Sequence, residues 1–364
     1  MSRYVFLLGA GASASEGAPL QRDLIKSYFA TRRGMSHPEI EEEVAEFFDR
    51  VFGVDVTKLD DTVDLPTFEE VLGIIDLAAL RGEALRGIPA SEDDGSTVTL
   101  SSARRGLILL MADAVRRGVS HHPRLHAEFV QNLRESDKIT DTTFVTTNYD
   151  TLLDNAIYDR SLPPEDQGPG SPVDYGFGGL VPNVPIPEPE ERSISLSKIH
   201  GSLNWLHCSV CADLVVTHGP DIVTRLLENP ETARCTHCEA LREPVIIPPT
   251  LYKSFNNLYL AAAWHRATRV LRDCSVLFIC GYSMPDADMH VKYLVKSAQM
   301  NRGTSTDALR IVLVNNHKEK ASTNVNEELS RYSRLFGKDA VMDSRLSFEQ
   351  VSLDPGSVFE FANA

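Results

Sequence analysis

The chain has 364 residues and a formal net charge of −15, an acidic balance that disfavours broad, sequence-independent binding to phosphate backbones. No direct nucleic-acid partner is therefore expected. The apolar share, 42%, is that of an ordinary globular chain with a sizeable core. No apolar run approaches the length of a membrane span, so no membrane partner is expected and the chain is assigned to the cytoplasm.

The first element is a buried strand over residues 4–8, running into Gly9-Ala10-Gly11-Ala12-Ser13. Its apolar core is too short for a signal peptide, and a polar helix follows. A strand entering a glycine turn ahead of a helix brings backbone N–H groups toward a pyrophosphate. The third position of the dinucleotide fingerprint is Ala14, and no acidic ribose reader closes a second strand. Instead Leu20, Leu24, Ile25, Tyr28 and Phe29 continue an amphipathic helix. An ordinary NAD dehydrogenase fits poorly, and a tight β-α turn that simply requires glycine explains the motif equally well.

Residues 34–118 read as a helical insertion. Its acidic opening, residues 39–49, is expected to be a solvated helix face. Thr67 and Glu70 form a capping-box pattern ahead of Val71, Leu72, Ile75 and Ala79 on one helix side. Residues 87–102 read as a mobile loop, and Leu107, Leu110, Met111, Ala114 and Val115 restart a helix. The insertion holds no catalytic constellation; lid, scaffold and oligomer contact are all compatible with it. His121-His122-Pro123 precedes another helix without a Cys or carboxylate at a ligand interval, so these histidines are read as cap or core residues.

A strand over residues 143–147 ends in Thr147-Asn148-Tyr149-Asp150, and Leu152, Leu153, Ala156 and Ile157 follow at helical spacing. Asp150 stands where an N-cap belongs. By itself the stretch is a capped turn, although α/β sheets bind ligands at such strand ends. Residues 161–192, crowded with Pro and Gly, are expected to be an irregular surface loop. Residues 195–199 then alternate like a strand and deliver His200-Gly201-Ser202. A histidine there suits acid-base work, and equally suits a hydrogen-bonded turn.

Cys208, Cys211, Cys235 and Cys238 form two Cys-x-x-Cys pairs. Four thiolates suit tetrahedral zinc in a closed structural site, with His207 and His237 as lesser competitors. Downstream, Leu260, Trp264, Ala267 and Leu271 mark a helix, and a buried strand over residues 275–280 ends in Gly281-Tyr282-Ser283. Asp288 is read as the cap of the next helix. A last buried strand, residues 311–314, delivers Asn315.

Five strand ends thus carry small or polar groups, in an order that, with the two cysteine pairs, resembles the sirtuin family. The strings Thr-Thr-Asn-Tyr-Asp (146–150) and Gly-Tyr-Ser-Met-Pro-Asp (281–286) look particularly like the sirtuin-like NADases of bacterial antiphage defence. The resemblance implies an α/β fold: a Rossmann-like parallel sheet with a helical insertion and a small four-cysteine zinc module. The expected division is 1–33 with 119–203 and 240–364 as the NAD-binding core, 34–118 as the insertion, and 204–239 as the zinc-ribbon-like module.

Carried over by motif, Asn148 would position the nicotinamide ribose and a water, and His200 would be the general base. Gly9, Ala10, Gly11 and Ser13 would line the diphosphate and ribose region, with Arg22 keeping a phosphate contact and Thr147 beside them. Asp150 matches the nicotinamide-amide reader, Gly281 and Ser283 the phosphate or ribose side, and Asn315 the adenosine-ribose reader. Two departures from the deacetylases favour hydrolysis. The aromatic that screens the nicotinamide pocket is Gln21, and the peptide-pairing strand edge becomes Val245-Ile246-Ile247-Pro248-Pro249-Thr250. The expected activity is an NAD+ glycohydrolase, with NAD+ as substrate and structural Zn2+, releasing nicotinamide and ADP-ribose and depleting NAD in antiphage defence. An NAD-dependent protein deacylase and a non-catalytic NAD or ADP-ribose binding module are the alternatives. With no recognisable sensor domain in the sequence, control is expected through a homo-oligomer or a separately encoded regulator, a HerA-type ATPase being one candidate that the family implies.

Overall fold

Alternation in the first strand decides the layers. β1 (Tyr4–Leu8) is buried throughout, and Tyr4, Phe6 and Leu8 enter one apolar cluster while Val5 and Leu7 enter another. A strand buried on both faces belongs at the centre of a covered parallel sheet. The computed structural model describes residues 3–30, 38–59, 63–90, 98–119, 124–158, 173–178, 193–217, 229–247, 257–286, 288–302, 308–318 and 320–363. The other strands are β2 (Thr142–Thr146), β3 (Val173–Asp174), β4 (Ile194–Lys198), β5 (Gly201–His207), β6 (Leu214–Val216), β7 (Glu243–Ile246), β8 (Val276–Cys280), β9 (Arg310–Val314) and β10 (Val341–Asp343).

Among the described residues, a 7-stranded sheet runs in the order β10-β9-β8-β1-β2-β4-β3, and every pairing in it is parallel. One face carries helices Leu125–Glu135 and Phe348–Leu353; the other carries Leu258–Asp273, Met289–Met300 and Ser322–Phe336. Phe6 stacks on Phe278 at 4.6 Å across neighbouring strands, a contact contributing about 0.5–1.5 kcal/mol beyond burial. Parallel strands put all their carboxyl ends on one edge. Gly9, Thr147, Ile199, Gly281 and Asn315 therefore lie at that edge by topology.

A second, 3-stranded sheet, β6-β5-β7, is antiparallel and begins one residue after His200. Gly201 makes the passage from one sheet to the other. Its φ is +89°, and a Cβ there would stand 1.9 Å from the Val245 carbonyl oxygen. The small sheet reaches from Gly201 to Ile246, wider at both ends than residues 204–239.

The insertion contributes helices Pro38–Phe52, Phe68–Arg81 and Leu100–Val119. The expected capping box is present, Thr67 accepting from the Glu70 N–H and Glu70 accepting in return. Three expectations are corrected. The acidic helix face is not wholly solvated, because Glu41 is buried and accepts from the Tyr28 hydroxyl at 2.6 Å; burial and then Glu41 push that hydroxyl's pKa up. The loop expected to extend to residue 102 is helical from Leu100, its first turn tied by Thr99 and Ser102. Residues 161–192 include β3, and Tyr175 and Phe177 there are buried against Trp205, so apolar contacts outweigh the Pro and Gly around them. His121, His122, Pro248, Pro249 and Thr250 lie outside the described residues.

Candidate active site

The glycines of the first turn answer a packing demand. Gly9 N–H donates to the Cys280 carbonyl at 2.9 Å and Gly11 N–H to the Gly281 carbonyl at 2.7 Å. A Cβ on Gly9 would lie 2.6 Å from Tyr282 Cβ, and one on Gly281 would lie 2.1 Å from the Ala12 nitrogen. The turns after β1 and β8 are thus in backbone contact. Two N–H groups expected to face a diphosphate are taken up inside the protein. Gly281 also has φ +62°, a conformation that side chains disfavour.

Asn148 is the hub of the edge. Its Nδ2 donates to the Gly9 carbonyl at 3.0 Å and to Ser13 Oγ at 2.9 Å. A carbonyl only accepts, so the atom facing Gly9 is the amide nitrogen, and no bond to Oδ1 is seen among the described residues. Ser13 in turn donates to Asp150 Oδ2 at 2.7 Å. The backbone here is held as firmly: Thr146 Oγ1 accepts from Asn148 N–H at 3.0 Å, and Thr147 N–H donates to the Leu8 carbonyl at 3.1 Å.

Asp150 corrects a reading. Thr151 occupies the N-cap of helix Leu152–Ile157, and its own side chain makes no capping bond. Asp150 Oδ1 accepts from the Leu152 N–H at 3.1 Å, an Asx-type turn one residue earlier. Below it lies a polar network absent from the sequence reading. The Lys198 ammonium, fully buried, donates to the Asp150 carbonyl and to Asp154 Oδ2, the latter at 2.7 Å. Asp154 Oδ1 accepts from the Tyr175 hydroxyl at 2.5 Å and from Asn204 at 3.4 Å. Removing one partner of such a buried pair costs about 3–5 kcal/mol. A charged residue at the end of a strand just ahead of His200 is the available signal, since such a group, once buried, demands a partner.

His200, nearly fully buried, has Nε2 3.5 Å from Asp288 Oδ2. The Tyr282 hydroxyl donates to the same Asp288 oxygen at 2.7 Å. Asp288 does occupy the N-cap of helix Met289–Met300, yet its side chain makes no capping bond. The expected cap is instead a carboxylate held between a tyrosine and the histidine. Burial, then Asp288, push the Tyr282 hydroxyl well up, so it stays a proton donor.

Asn315 clamps the neighbouring turn. Its amide donates to the Tyr282 carbonyl at 3.0 Å and to Glu328, and its oxygen accepts from Tyr282 N–H at 3.2 Å. Glu328 also meets Lys320 at 2.8 Å and His317 at 3.4 Å, and His317 meets Asp343 at 2.9 Å. Burial opposes charge on His317, but Glu328 and Asp343 outweigh it and raise its pKa.

Arg22 and Ser283 stand apart from these bonds: the Arg22 side chain is 74% exposed and pairs with Asp23, and Ser283 is exposed. The insertion reaches the site through Tyr149, whose hydroxyl donates to the Ile247 carbonyl at 3.2 Å and lies 3.5 Å from Glu69. The Tyr149 ring is 6.1 Å from that of His200. Arg104 adds a bond to the Ile246 carbonyl at 2.9 Å and one to Asp76 at 2.7 Å.

The four cysteines converge, with Sγ atoms all within 4.8 Å of one another. Both knuckles fold identically: Ala212 and Glu239, each just after a second cysteine, take φ of 60° and 62°. Each first cysteine N–H donates five residues on, Cys208 to Asp213 and Cys235 to Ala240, at 2.8 Å. Asp213, held by Arg242 at 2.8 Å, anchors one knuckle. Zn–S bonds of about 2.3 Å require sulfurs somewhat under 4 Å apart, and the closest pairs are at 3.4 and 3.7 Å. The donor set and its spacing fit a tetrahedral metal.

A family model described as SIR2-like domain matches residues 142–333, more than half of the chain. No curated protein matches. Among solved structures, a Sir2 enzyme studied for its mechanism and regulation is 14% identical, covering 100% of this chain and 94% of that one at a TM-score of 0.42. A Sir2 with a p53 peptide and NAD+ is 13% identical, covering 99% and 94% at a TM-score of 0.43.

Proposed function

The chain belongs to the SIR2-like domain family, and on that premise we propose that it is an NAD+ glycohydrolase. The bond from ribose C1′ to the nicotinamide nitrogen breaks, its electron pair leaving with nicotinamide, and a water oxygen bonds to C1′. The water's proton passes to His200, giving ADP-ribose. Asn148 Oδ1 accepts from the ribose hydroxyl or the water, and His200 takes the proton. Asp288 at 3.5 Å stabilises the resulting imidazolium by Coulombic attraction. Ser13 and Asp150 hold Asn148; the turns at Gly9, Gly281 and Asn315 shape the nucleotide's seat. The four cysteines would hold zinc, which supplies a structural cross-link and no chemistry to the reaction.

One observation favours hydrolysis over deacylation. The edge at Ile246 and Ile247, where a deacylase would pair with a peptide, is already occupied. Ile246 O accepts from Arg104, Ile247 O from Tyr149, and Ile247 N–H donates to the His200 carbonyl at 2.9 Å. On the resemblance to the antiphage NADases we place the activity in defence by NAD depletion, restrained by a homo-oligomer or a separately encoded regulator of the HerA type. Separating the products of purified protein with NAD+ and no peptide tests the activity. Nicotinamide and ADP-ribose are expected, and N148A or H200A should lower turnover at least about 10²-fold; fully active variants would contradict the site.

A further inference from the structure

Lys198 lies two residues before His200 and is completely buried at the end of β4. A buried ammonium has three N–H donors and needs acceptors for them, and which acceptors it takes decides which parts of the chain it joins. Lys198 has Asp154 at 2.7 Å, but it also donates to the main-chain carbonyl of Asp150. That second bond ties the strand delivering His200 to the loop delivering Asn148. From Asp150 the connection continues through Ser13 Oγ at 2.7 Å to Asn148 Nδ2 at 2.9 Å. Ser13 has a single hydroxyl proton and gives it to Asp150, so its lone pairs face Asn148. With Gly9 O as the other acceptor at 3.0 Å, the Asn148 carboxamide has one favoured orientation.

We propose that Lys198 is a positioning residue which, through Asp150 and Ser13, fixes Asn148 relative to His200. This rests on the NAD+-hydrolysis reading of the same site. Misplacing a positioned group by about 1 Å costs about 10²-fold in rate, and it falls on kcat when the ground state is bound equally well.

The test compares D154N, K198M and K198M/D154N in the full-length chain, reading thermal stability, kcat and KM for NAD+ hydrolysis. K198M/D154N removes both buried charges together, while the amide at position 154 still accepts from the Tyr175 hydroxyl, as Asp154 does at 2.5 Å. The double variant should regain the stability lost in K198M, yet keep a kcat about 10²-fold down with KM within about 3-fold. D154N, which retains the Lys198 bond to Asp150, should keep kcat within about 5-fold of the parent. Recovery of kcat together with stability in the double variant would overturn the proposal, as would equal kcat losses in D154N and the double variant. Should the double variant not fold, K198M assayed on its folded fraction at low temperature decides, since Met can donate to neither Asp150 nor Asp154; near-parental kcat would overturn the proposal. If the unaltered chain turns over only acylated peptide, the hydrolysis reading fails separately, and the same kcat comparison is made on that reaction.

Discussion

Asp288 shows how a residue's position can be legible while its role is not. Its place ahead of an apolar-periodic helix made a cap the natural reading, and it does sit at the N-cap. What the local sequence does not contain is the approach of Tyr282 at 2.7 Å and of His200 at 3.5 Å, which depends on β4 and β8 ending at one edge. Asp288→Asn should preserve the Tyr282 bond and remove the charge beside His200, lowering kcat about 10-fold or more with little change in melting temperature; NAD+ kinetics and a thermal melt check both. Asn148 was legible as a polar residue at a strand end, but the direction of its carboxamide was not, because that is set by Gly9 and Ser13 from another strand. His317 supports a pH prediction. Its folded pKa is raised, so its contribution to stability is fully present below about pH 6.5 and is lost as pH rises through the raised value. Glu328, whose pKa is lowered, contributes above its ordinary value and loses that as pH falls. The Tm gap between the parent chain and His317→Gln should therefore be widest near about pH 6 and narrow toward about pH 9.

Elements were read well where one period or one cap decides them. The capping box at Thr67 and Glu70 and the paired cysteine knuckles depend on residues three or four apart. β3 was not legible, because two residues among prolines and glycines have no period, and it forms through pairing with β4. The glycine turn carried the most ambiguous sequence signal, and contact between the turns after β1 and β8 explains its glycines. Gly281→Ala places a methyl against Ala12 at positive φ and should cost about 3 kcal/mol, visible in a chemical melt. The cysteine module should carry one zinc per chain by elemental analysis. Its removal by a strong chelator should unfold β5 to β7 and lower the melting temperature, and C208S should reproduce that loss.

The whole molecule joins its parts at the site. From its sequence the insertion is a helical body without a catalytic constellation, and its helices share one apolar cluster. That cluster also takes in Tyr149, Leu203, Leu206 and Ile246, so the insertion is packed against the loop of Asn148 and the small sheet that follows His200. Such long-range packing has no local signature in 34–118. Arg104→Ala should loosen this junction by removing bonds to Asp76 and to Ile246 O, lowering stability by about 1–3 kcal/mol, as denaturant titration would report. The same junction bonds the Ile246 and Ile247 carbonyls on which the proposed preference for hydrolysis rests, so substrate choice is the decisive point. The most direct measurement is product analysis of the intact protein with NAD+ alone, in parallel with NAD+ plus an acylated peptide. Nicotinamide and ADP-ribose are expected in equal amounts without peptide, with no acceleration when peptide is added. Release of nicotinamide only in the presence of acylated peptide would contradict the hydrolysis reading.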